Sequence, residues 1–168
     1  MSQDFTDWVT ARGPRLVSFG YLLCRDRDLA EDLAQEALAR LHLRWERVSR
    51  DGDPEAYARR SMLNQLLSWR RRKSWSEQPT ESNTLGRVGS DLSDHADDVV
   101  RRDEMWVLLG SLPVRQRAVV VLRFYEGCTD EEIAEVLGCR PATVRSHASK
   151  ALAGLRHRLD HQSQGVSL

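Results

Sequence analysis

The sequence predicts an all-α fold of two small helical domains joined by a flexible linker, with a helix-turn-helix in the second domain. Apolar residues recur at helical spacing on both sides of residues 74–98, which are polar, contain proline and glycine, and show no apolar periodicity. No stretch has the convincing alternation of a strand. We therefore expect one domain at 1–73, a second at 99–160 and a short tail at 161–168.

The first domain is expected to contain three helices. One covers Gly13–Leu23 and is entered at Pro14, because proline fits the first turn of a helix. Another covers Asp28–Trp45, where apolar residues recur every three or four positions. The last runs over 55–73, and Asp53-Pro54 before it supplies an N-cap and a residue suited to the first turn.

Two further helices, at Val99–Ser111 and Pro113–Tyr125, are expected at the start of the second domain. Leu112-Pro113 separates them, and Gly127 ends the second one. The β-branched run Val119–Val121 lies within helical periodicity, so we do not assign it to a strand.

A compact motif follows these two helices. Thr129 is a suitable N-cap, and Glu132 completes a capping box at the start of a short helix, Asp130–Leu137. Gly138 supplies a left-handed turn residue, and Pro141 opens the next helix. These signals predict two short helices joined by a tight turn.

The spacing of Ala134, Gly138 and Val144 completes the signature of a helix-turn-helix over 129–158. Such a motif places the N-terminal residues of its second helix in the major groove of DNA. We expect phosphate contacts from Arg140 and Thr143, and contacts to base edges from Arg145, Ser146, Ser149 and Lys150. The alternative is a helical hairpin with an incidental basic surface; the cap, turn, spacing and charge together disfavour it.

The formal net charge of zero conceals a segregation of charge along the chain. Segments 26–36 and 126–135 are acidic, whereas segments 59–73 and 140–158 contain basic residues and no acid. This alternation indicates two basic surfaces that suit DNA and an acidic surface that suits a basic protein groove.

Several classes of function are disfavoured by composition. Cys24, Cys128 and Cys139 are too scattered for a disulfide framework or a zinc site, and no carboxylate cluster indicates catalysis. We therefore expect no enzyme activity, no cofactor and no metal. No apolar run approaches the roughly 20 residues of a membrane-spanning helix, and the acidic segment Met1–Thr10 is not a signal peptide. A cytoplasmic protein with no membrane partner is expected.

The C-terminal half resembles the last domain of bacterial sigma factors, which binds the −35 promoter element in that family. The resemblance is carried by Leu112–Arg117, Leu122–Gly127, Thr129–Leu137, Pro141–Ser146 and Lys150–Leu152. LuxR-type regulators share a similar helix-turn-helix, so this half alone leaves both families open.

The N-terminal half favours the sigma factors. Ala30–Glu36 resembles the family's polymerase-binding segment, and Asp32, Gln35 and Glu36 share one face of a helix at spacings of three and four. The resemblance implies that this face docks on the coiled coil of the largest subunit of core RNA polymerase. A merely solvated polar face is the alternative.

Pro54–Lys73 resembles the family's promoter-melting segment, in which Tyr57 replaces the usual tryptophan and Asn64 is retained. The resemblance implies that a −10 base is flipped into a pocket near Asn64 and the Ser49–Pro54 loop. The residues implied for −10 contacts are Tyr57, Arg60, Asn64, Arg71, Arg72 and Lys73.

Over residues 5–160 the chain is thus similar to the extracytoplasmic-function (ECF) sigma factors, and in particular to actinobacterial members. This resemblance implies binding to core RNA polymerase and promoter DNA, promoter-specific initiation of transcription, and a possible anti-sigma factor as a further partner. The alternative function is a LuxR-like transcriptional regulator that binds DNA without polymerase.

Overall fold

The computed structural model describes residues 3–76 and 104–164, and all regular structure within these ranges is helical. The first range contains α1 (Gln3–Cys24), α2 (Arg27–His42), α3 (Trp45–Asp51) and α4 (Pro54–Ser76). The second contains α5, described over 104–110, α6 (Val114–Val120), which continues as a π-helical turn at Val121–Tyr125, α7 (Asp130–Leu137) and α8 (Pro141–Gln164). The chain divides into two compact units, one built by α1–α4 and one by most of α5–α8, which confirms the all-α prediction.

Helix α2 is the centre of the first unit, because it packs against both α1 and α4. Its inward face consists of small and medium apolar residues that are fully or almost fully buried: Ala30, Leu33, Ala34, Ala37 and Leu41. The approach of α1 is close at Gly20, where an added Cβ would lie 2.8 Å from Met62 Cε and 3.2 Å from Ala30 Cβ. Glycine at this position therefore serves the close packing of α1 rather than backbone freedom.

Helix α1 begins well before the predicted Gly13, and Pro14 lies in its interior. The first turns bury Phe5, which packs with Leu41 and Trp45, and the Phe5 and Trp45 rings meet edge to face with centroids 5.2 Å apart. This burial offsets the one helical hydrogen bond that a proline removes. The predicted helix start was wrong because only tertiary contacts stabilise the preceding residues.

The helix predicted over Asp28–Trp45 is two helices in the structure. Helix α2 ends at His42, a turn at Leu43-Arg44 follows, and Trp45 begins α3. The apolar periodicity crosses this break because Leu41 and Trp45 reach the same buried cluster.

Helix α4 begins as predicted, since the Asp53 carboxylate accepts a hydrogen bond from the Glu55 N–H at 2.9 Å. It continues to Ser76, so residues 74–76 of the predicted linker are helical. The rest of that linker and residues 99–103 of the next predicted helix lie outside the described residues.

The second unit also follows most of the local signals. Pro113 precedes α6, and the helical path extends to Tyr125 as predicted. Its last turn is wound as a π-helix, in which the Glu126 N–H donates to the Val121 carbonyl at 3.1 Å. Gly127 ends this turn with φ of 70°, the left-handed conformation that its type predicted.

A buried arginine ties α6 to the end of α5. The Arg117 guanidinium donates to the carbonyls of Leu109 at 2.8 Å, Leu112 at 3.0 Å and Gly110 at 3.3 Å. Carbonyls at a helix end have no partner within the helix, and charge-assisted bonds to them are strong. Arg117 therefore fixes the turn between the two helices, a role that the sequence alone did not indicate.

The predicted capping box is present at the start of α7. The Glu132 N–H donates to Thr129 Oγ1 at 3.2 Å, and the Thr129 N–H donates to Glu132 Oε2 at 2.7 Å. At the other end Gly138 has φ of 63°, and the Cys139 N–H donates to the Ala134 carbonyl at 3.0 Å. These bonds confirm the predicted bounds of α7 and the glycine turn after it.

Helix α8 begins at Pro141 as predicted, and Val144 and Ala134 are both buried. It extends beyond the predicted end at 158 to Gln164, so residues 161–164 of the predicted tail are helical. Residues 165–168 lie outside the described part of the chain.

We expect Gly20→Ala to destabilise the first unit. The added methyl group would overpack Met62 and the backbone of α2, at a cost of about 1–3 kcal/mol, which exceeds the ~1 kcal/mol that alanine gains over glycine within a helix. Gly13→Ala is the matched control on the same helix, because its Cβ meets only Val9 Cγ1 at 3.8 Å.

The measurement is the urea midpoint of the tryptophan fluorescence transition, to which Trp8 and Trp45 of the first unit contribute. Gly20→Ala should lower the midpoint, and Gly13→Ala should leave it unchanged or raise it. A Gly20→Ala protein as stable as the Gly13→Ala protein would contradict the close approach of α1 and α2.

Candidate polymerase and DNA interfaces

The three residues predicted to dock on polymerase lie on the outward side of α2. Asp32, Gln35 and Glu36 are all exposed, opposite the buried stripe of the same helix. Glu36 accepts from Arg40 Nη2 at 2.5 Å one turn later. Half-exposed pairs of this kind contribute little to stability, so the carboxylates stay available to a partner. We call these three residues the acidic face.

A cleft runs beside the acidic face, between α2 and α4. It has a volume of about 200 Å³ and is lined by Leu29, Asp32, Leu33, Glu36, Gln65, Leu66, Trp69 and Arg72. Asp32 and Glu36 therefore share a cleft with the indole of Trp69, which is 41% exposed. Arg72, predicted as a −10 residue, is placed in this α2–α4 cleft.

A larger cavity of about 590 Å³ lies near the turn between α2 and α3. Its lining residues are Arg40, Leu43, Arg44, Tyr57, Arg60, Ser61 and Asn64. It brings together three of the six residues predicted for −10 contacts. We call it the arginine pocket.

The Ser49–Pro54 loop, predicted to lie near the pocket for a flipped base, does not line the arginine pocket. Ser49–Asp51 is the last turn of α3, and the Ser49 hydroxyl donates to the Trp45 carbonyl at 2.6 Å. The turn at Leu43-Arg44 supplies the pocket wall instead.

The polar groups of the arginine pocket differ in how firmly they are held. Tyr57 packs against the buried aromatic cluster, and its hydroxyl accepts from Arg44 Nη1 at 2.9 Å. Arg60 and Asn64 are exposed. The Ser61 hydroxyl is buried and has no hydrogen-bond partner among the described residues. A buried unpaired hydroxyl is costly, and a bound polar group would satisfy it.

The other basic residues of α4 have separate surroundings. Arg59 is largely buried and pairs with Glu55 at 2.6 Å, so it belongs to the packing of the unit. Arg71 and Lys73 are exposed, and the Lys73 ammonium lies 5.2 Å from the centre of the Trp69 ring. Neither lines the arginine pocket.

All six residues predicted to contact the −35 element lie exposed at the start of α8, namely Arg140, Thr143, Arg145, Ser146, Ser149 and Lys150. The opposite side of the helix is buried through Val144, Ala148 and Ala151. His147 lies between the two sides; burial, with help from Arg115 and Lys150, holds its pKa below the usual value. It is therefore a neutral member of this surface at pH 7.

One of these residues has an acidic partner. Arg145 Nη1 lies 3.7 Å from Asp130 Oδ2, and the other oxygen of Asp130 accepts from Arg123 Nη2. This bridge was not predicted, because its three members come from three different elements.

Part of the arginine pocket was not predicted from the sequence. Arg40 and Arg44 are four residues apart within the helix predicted over Asp28–Trp45, a spacing that could have indicated a shared surface. Leu43 and Ser61 gave no such signal, since neither is charged and neither belongs to a recognised motif.

The described residues form neither a membrane-spanning helix nor a metal-binding cluster. None of the helices in 3–76 and 104–164 is long and apolar enough to span a membrane. Within the same ranges, no three His, Cys, Asp or Glu residues are grouped closely enough to hold a metal ion.

Comparison with known proteins extends over both units. Residues 8–76 match the family profile of Sigma-70 region 2, and residues 102–155 match that of Sigma-70, region 4. The chain is 38% identical over 157 residues to the RNA polymerase sigma-E factor of Streptomyces antibioticus, covering 94% of this chain and 85% of that protein.

A second relative is the ECF RNA polymerase sigma factor ShbA of Streptomyces griseus, 30% identical over 136 residues, covering 77% of this chain and 71% of that protein. Among solved structures, the sigma factor RpoE of Bartonella quintana, in complex with the anti-sigma factor NepR, aligns with a TM-score of 0.70 at 23% identity. That alignment covers 95% of this chain and 98% of RpoE, and it shows a shared fold.

These matches include the N-terminal unit as well as the helix-turn-helix, and they give no support to the alternative of a LuxR-like regulator acting without polymerase. The chain therefore belongs to the ECF group of the sigma-70 family, whose members direct promoter-specific initiation by RNA polymerase and are not enzymes.

Proposed function

We propose that this sigma factor binds core RNA polymerase through the acidic face of α2, reads the −10 element in the arginine pocket, and reads the −35 element with the exposed side of α8. The arginine pocket is the observation that carries this proposal. It joins Tyr57, Arg60 and Asn64 with the unpaired hydroxyl of Ser61 in a cavity large enough for a nucleobase.

The acidic face and the α2–α4 cleft suit a basic helix of the polymerase. Asp32 and Glu36 offer carboxylates at the rim, and Trp69 offers an aromatic surface for an arginine side chain. Arg72 on the opposite wall limits the cleft to a partner that brings its own acid or hydrogen-bond acceptor to that side.

The arginine pocket suits a single base extruded from the duplex. Polar edges at Asn64 and Ser61 can pair with the base, the Tyr57 ring forms a wall, and Arg40, Arg44 and Arg60 are cations for the flanking phosphates. The binding energy of the flipped base then favours strand opening.

Both DNA contacts act within one assembly. Two weak sites held on one scaffold bind DNA more tightly together than either does alone, because the second contact forms at a high effective concentration. Binding to core polymerase therefore raises the affinity of the protein for the promoter. The activity is stoichiometric, and its partners place the protein in the cytoplasm. An anti-sigma factor is a further partner, by analogy with the NepR complex of RpoE.

Charge reversal of the acidic face tests the docking surface. Asp32→Lys combined with Glu36→Lys should weaken binding to core polymerase by at least about a hundredfold, because truncation of interfacial charge pairs alone costs 2–5 kcal/mol. Asp4→Lys combined with Asp7→Lys is the matched control, since both residues are exposed acids on α1.

Binding to core polymerase and run-off transcription are measured for both proteins. The control should behave like the unmodified protein. Equal binding by the two double variants would remove α2 from the docking surface.

Substitutions in the arginine pocket test −10 reading. Asn64→Ala and Ser61→Ala should each reduce base discrimination at one −10 position by about five- to a hundredfold, since a lost hydrogen bond to a base edge costs roughly 1–3 kcal/mol. Ser61→Ala should not destabilise the fold, because the hydroxyl has no partner in the described residues.

The holoenzyme is titrated with single-stranded −10 oligonucleotides that carry each base at each position. Positions other than the affected one serve as the internal control. A uniform loss at every position, or a loss of stability in Ser61→Ala, would contradict a base in this pocket.

Arg145 tests −35 reading. Arg145→Ala should cost about 1–3 kcal/mol at one base pair of the −35 element and leave the others unchanged. Arg158→Ala, an exposed arginine further along α8, should instead weaken binding uniformly and reduce its salt dependence. Competition between single-substituted promoters measures both effects, and a uniform effect of Arg145→Ala would make it a phosphate contact.

A further inference from the structure

We propose that Asp130 is a positioning residue for −35 reading, because it holds the guanidinium of Arg145 ready for one base pair. The proposal rests on the assignment of α8 as the −35 reader. Asp130 belongs to α7 and is not itself one of the exposed residues at the start of α8.

Asp130 contacts two arginines, of which Arg123 holds its carboxylate in place and Arg145 is the residue that it orients. Its Oδ1 atom accepts from Arg123 Nη2, and its Oδ2 atom lies 3.7 Å from Arg145 Nη1. The side chains of Arg123 and Asp130 are 26% and 21% exposed, whereas that of Arg145 is 60% exposed. Arg123, in the π-helical turn, therefore fixes the carboxylate of Asp130, and the other carboxylate oxygen faces Arg145 of α8.

This contact restricts the rotamers of Arg145 but leaves most of its N–H groups available for hydrogen bonds. An arginine side chain has many rotamers, and ordering it on DNA costs entropy unless it is held beforehand. A guanidinium has five N–H groups, so the loose contact of one edge with Asp130 leaves another edge for the O6 and N7 atoms of a guanine.

The charge of Asp130 adds a second effect. A carboxylate beside a DNA-binding helix repels phosphates at every sequence, so it lowers non-specific affinity. Only a site at which Arg145 gains base contacts offsets that repulsion. Asp130 should therefore raise discrimination in two ways, through the orientation of Arg145 and through a penalty on other DNA.

A purely local role for Asp130 makes a different prediction. An acid in the first turn of α7 stabilises the helix dipole, and Glu131 in the same turn does so equally. Glu131 is exposed, which makes Glu131→Gln the matched control for loss of one acid from this turn.

The test measures affinity of the holoenzyme for duplex promoters with single substitutions in the −35 element, and for unrelated duplex DNA, at several salt concentrations. We expect Asp130→Asn to reduce discrimination at the base pair read by Arg145 about five- to tenfold and to raise affinity for unrelated DNA severalfold. Glu131→Gln should leave discrimination unchanged.

Two further variants separate orientation from charge. In Arg145→Ala protein, Asp130→Asn should cause no additional loss of discrimination. Arg123→Met keeps the carboxylate of Asp130 but removes the arginine that fixes it. This variant should therefore reduce discrimination at the same base pair without the gain in affinity for unrelated DNA. If Asp130→Asn does not fold, Arg123→Met replaces it as the test of the orientation of Arg145.

Each outcome has a defined meaning. An effect of Asp130→Asn that persists in the Arg145→Ala background, or that Glu131→Gln reproduces, overturns the positioning role while leaving α8 as the reader. If Arg145→Ala itself changes discrimination at no base pair, Arg145 does not read a base and the role of Asp130 fails, whereas the other exposed residues of α8 remain candidate readers of the −35 element.

Discussion

The close packing of α2 between α1 and α4 is the constraint on which the first unit depends. Helices can approach this closely only where side chains are small, as at Gly20 and Ala30. With one side of α2 committed to the core, the charged residues at intermediate helical positions have to face outward. The same packing brings the end of α2 against α4, where the arginine pocket forms. One buried stripe thus orients two functional surfaces.

In the second unit, hydrogen bonds at the ends of the helices fix the positions of the helices. Helices α6 and α7 are short, so their ends matter more than their propensities. The capping box at Thr129, the left-handed Gly138 and the buried Arg117 each satisfy backbone groups that a helix end leaves unpaired. The capping box and Gly138 fix the turns around α7, from which the direction of α8 follows, and Arg117 fixes the turn between α5 and α6.

Local signals explain which features could be predicted from the sequence. The bounds of α7 were correct because a cap, a short apolar pattern and a glycine all act within a few residues. The start of α1 and the break after His42 were missed, since both depend on burial against distant residues. The same limit applies to function: Asn64 was found by resemblance, but its pairing in space with Ser61 required the fold.

The distribution of ion pairs bears on why such a chain acts through polymerase. Several cations that face the DNA-binding surfaces are partly compensated by acids of their own unit, as Arg40 is by Glu36 and Arg145 by Asp130. Each pair weakens the non-specific attraction that free arginines would exert on phosphates. The affinity of such a contact for promoter DNA rises when the polymerase holds it in register with the DNA. Its selectivity rises because other sequences are bound only weakly through their phosphates.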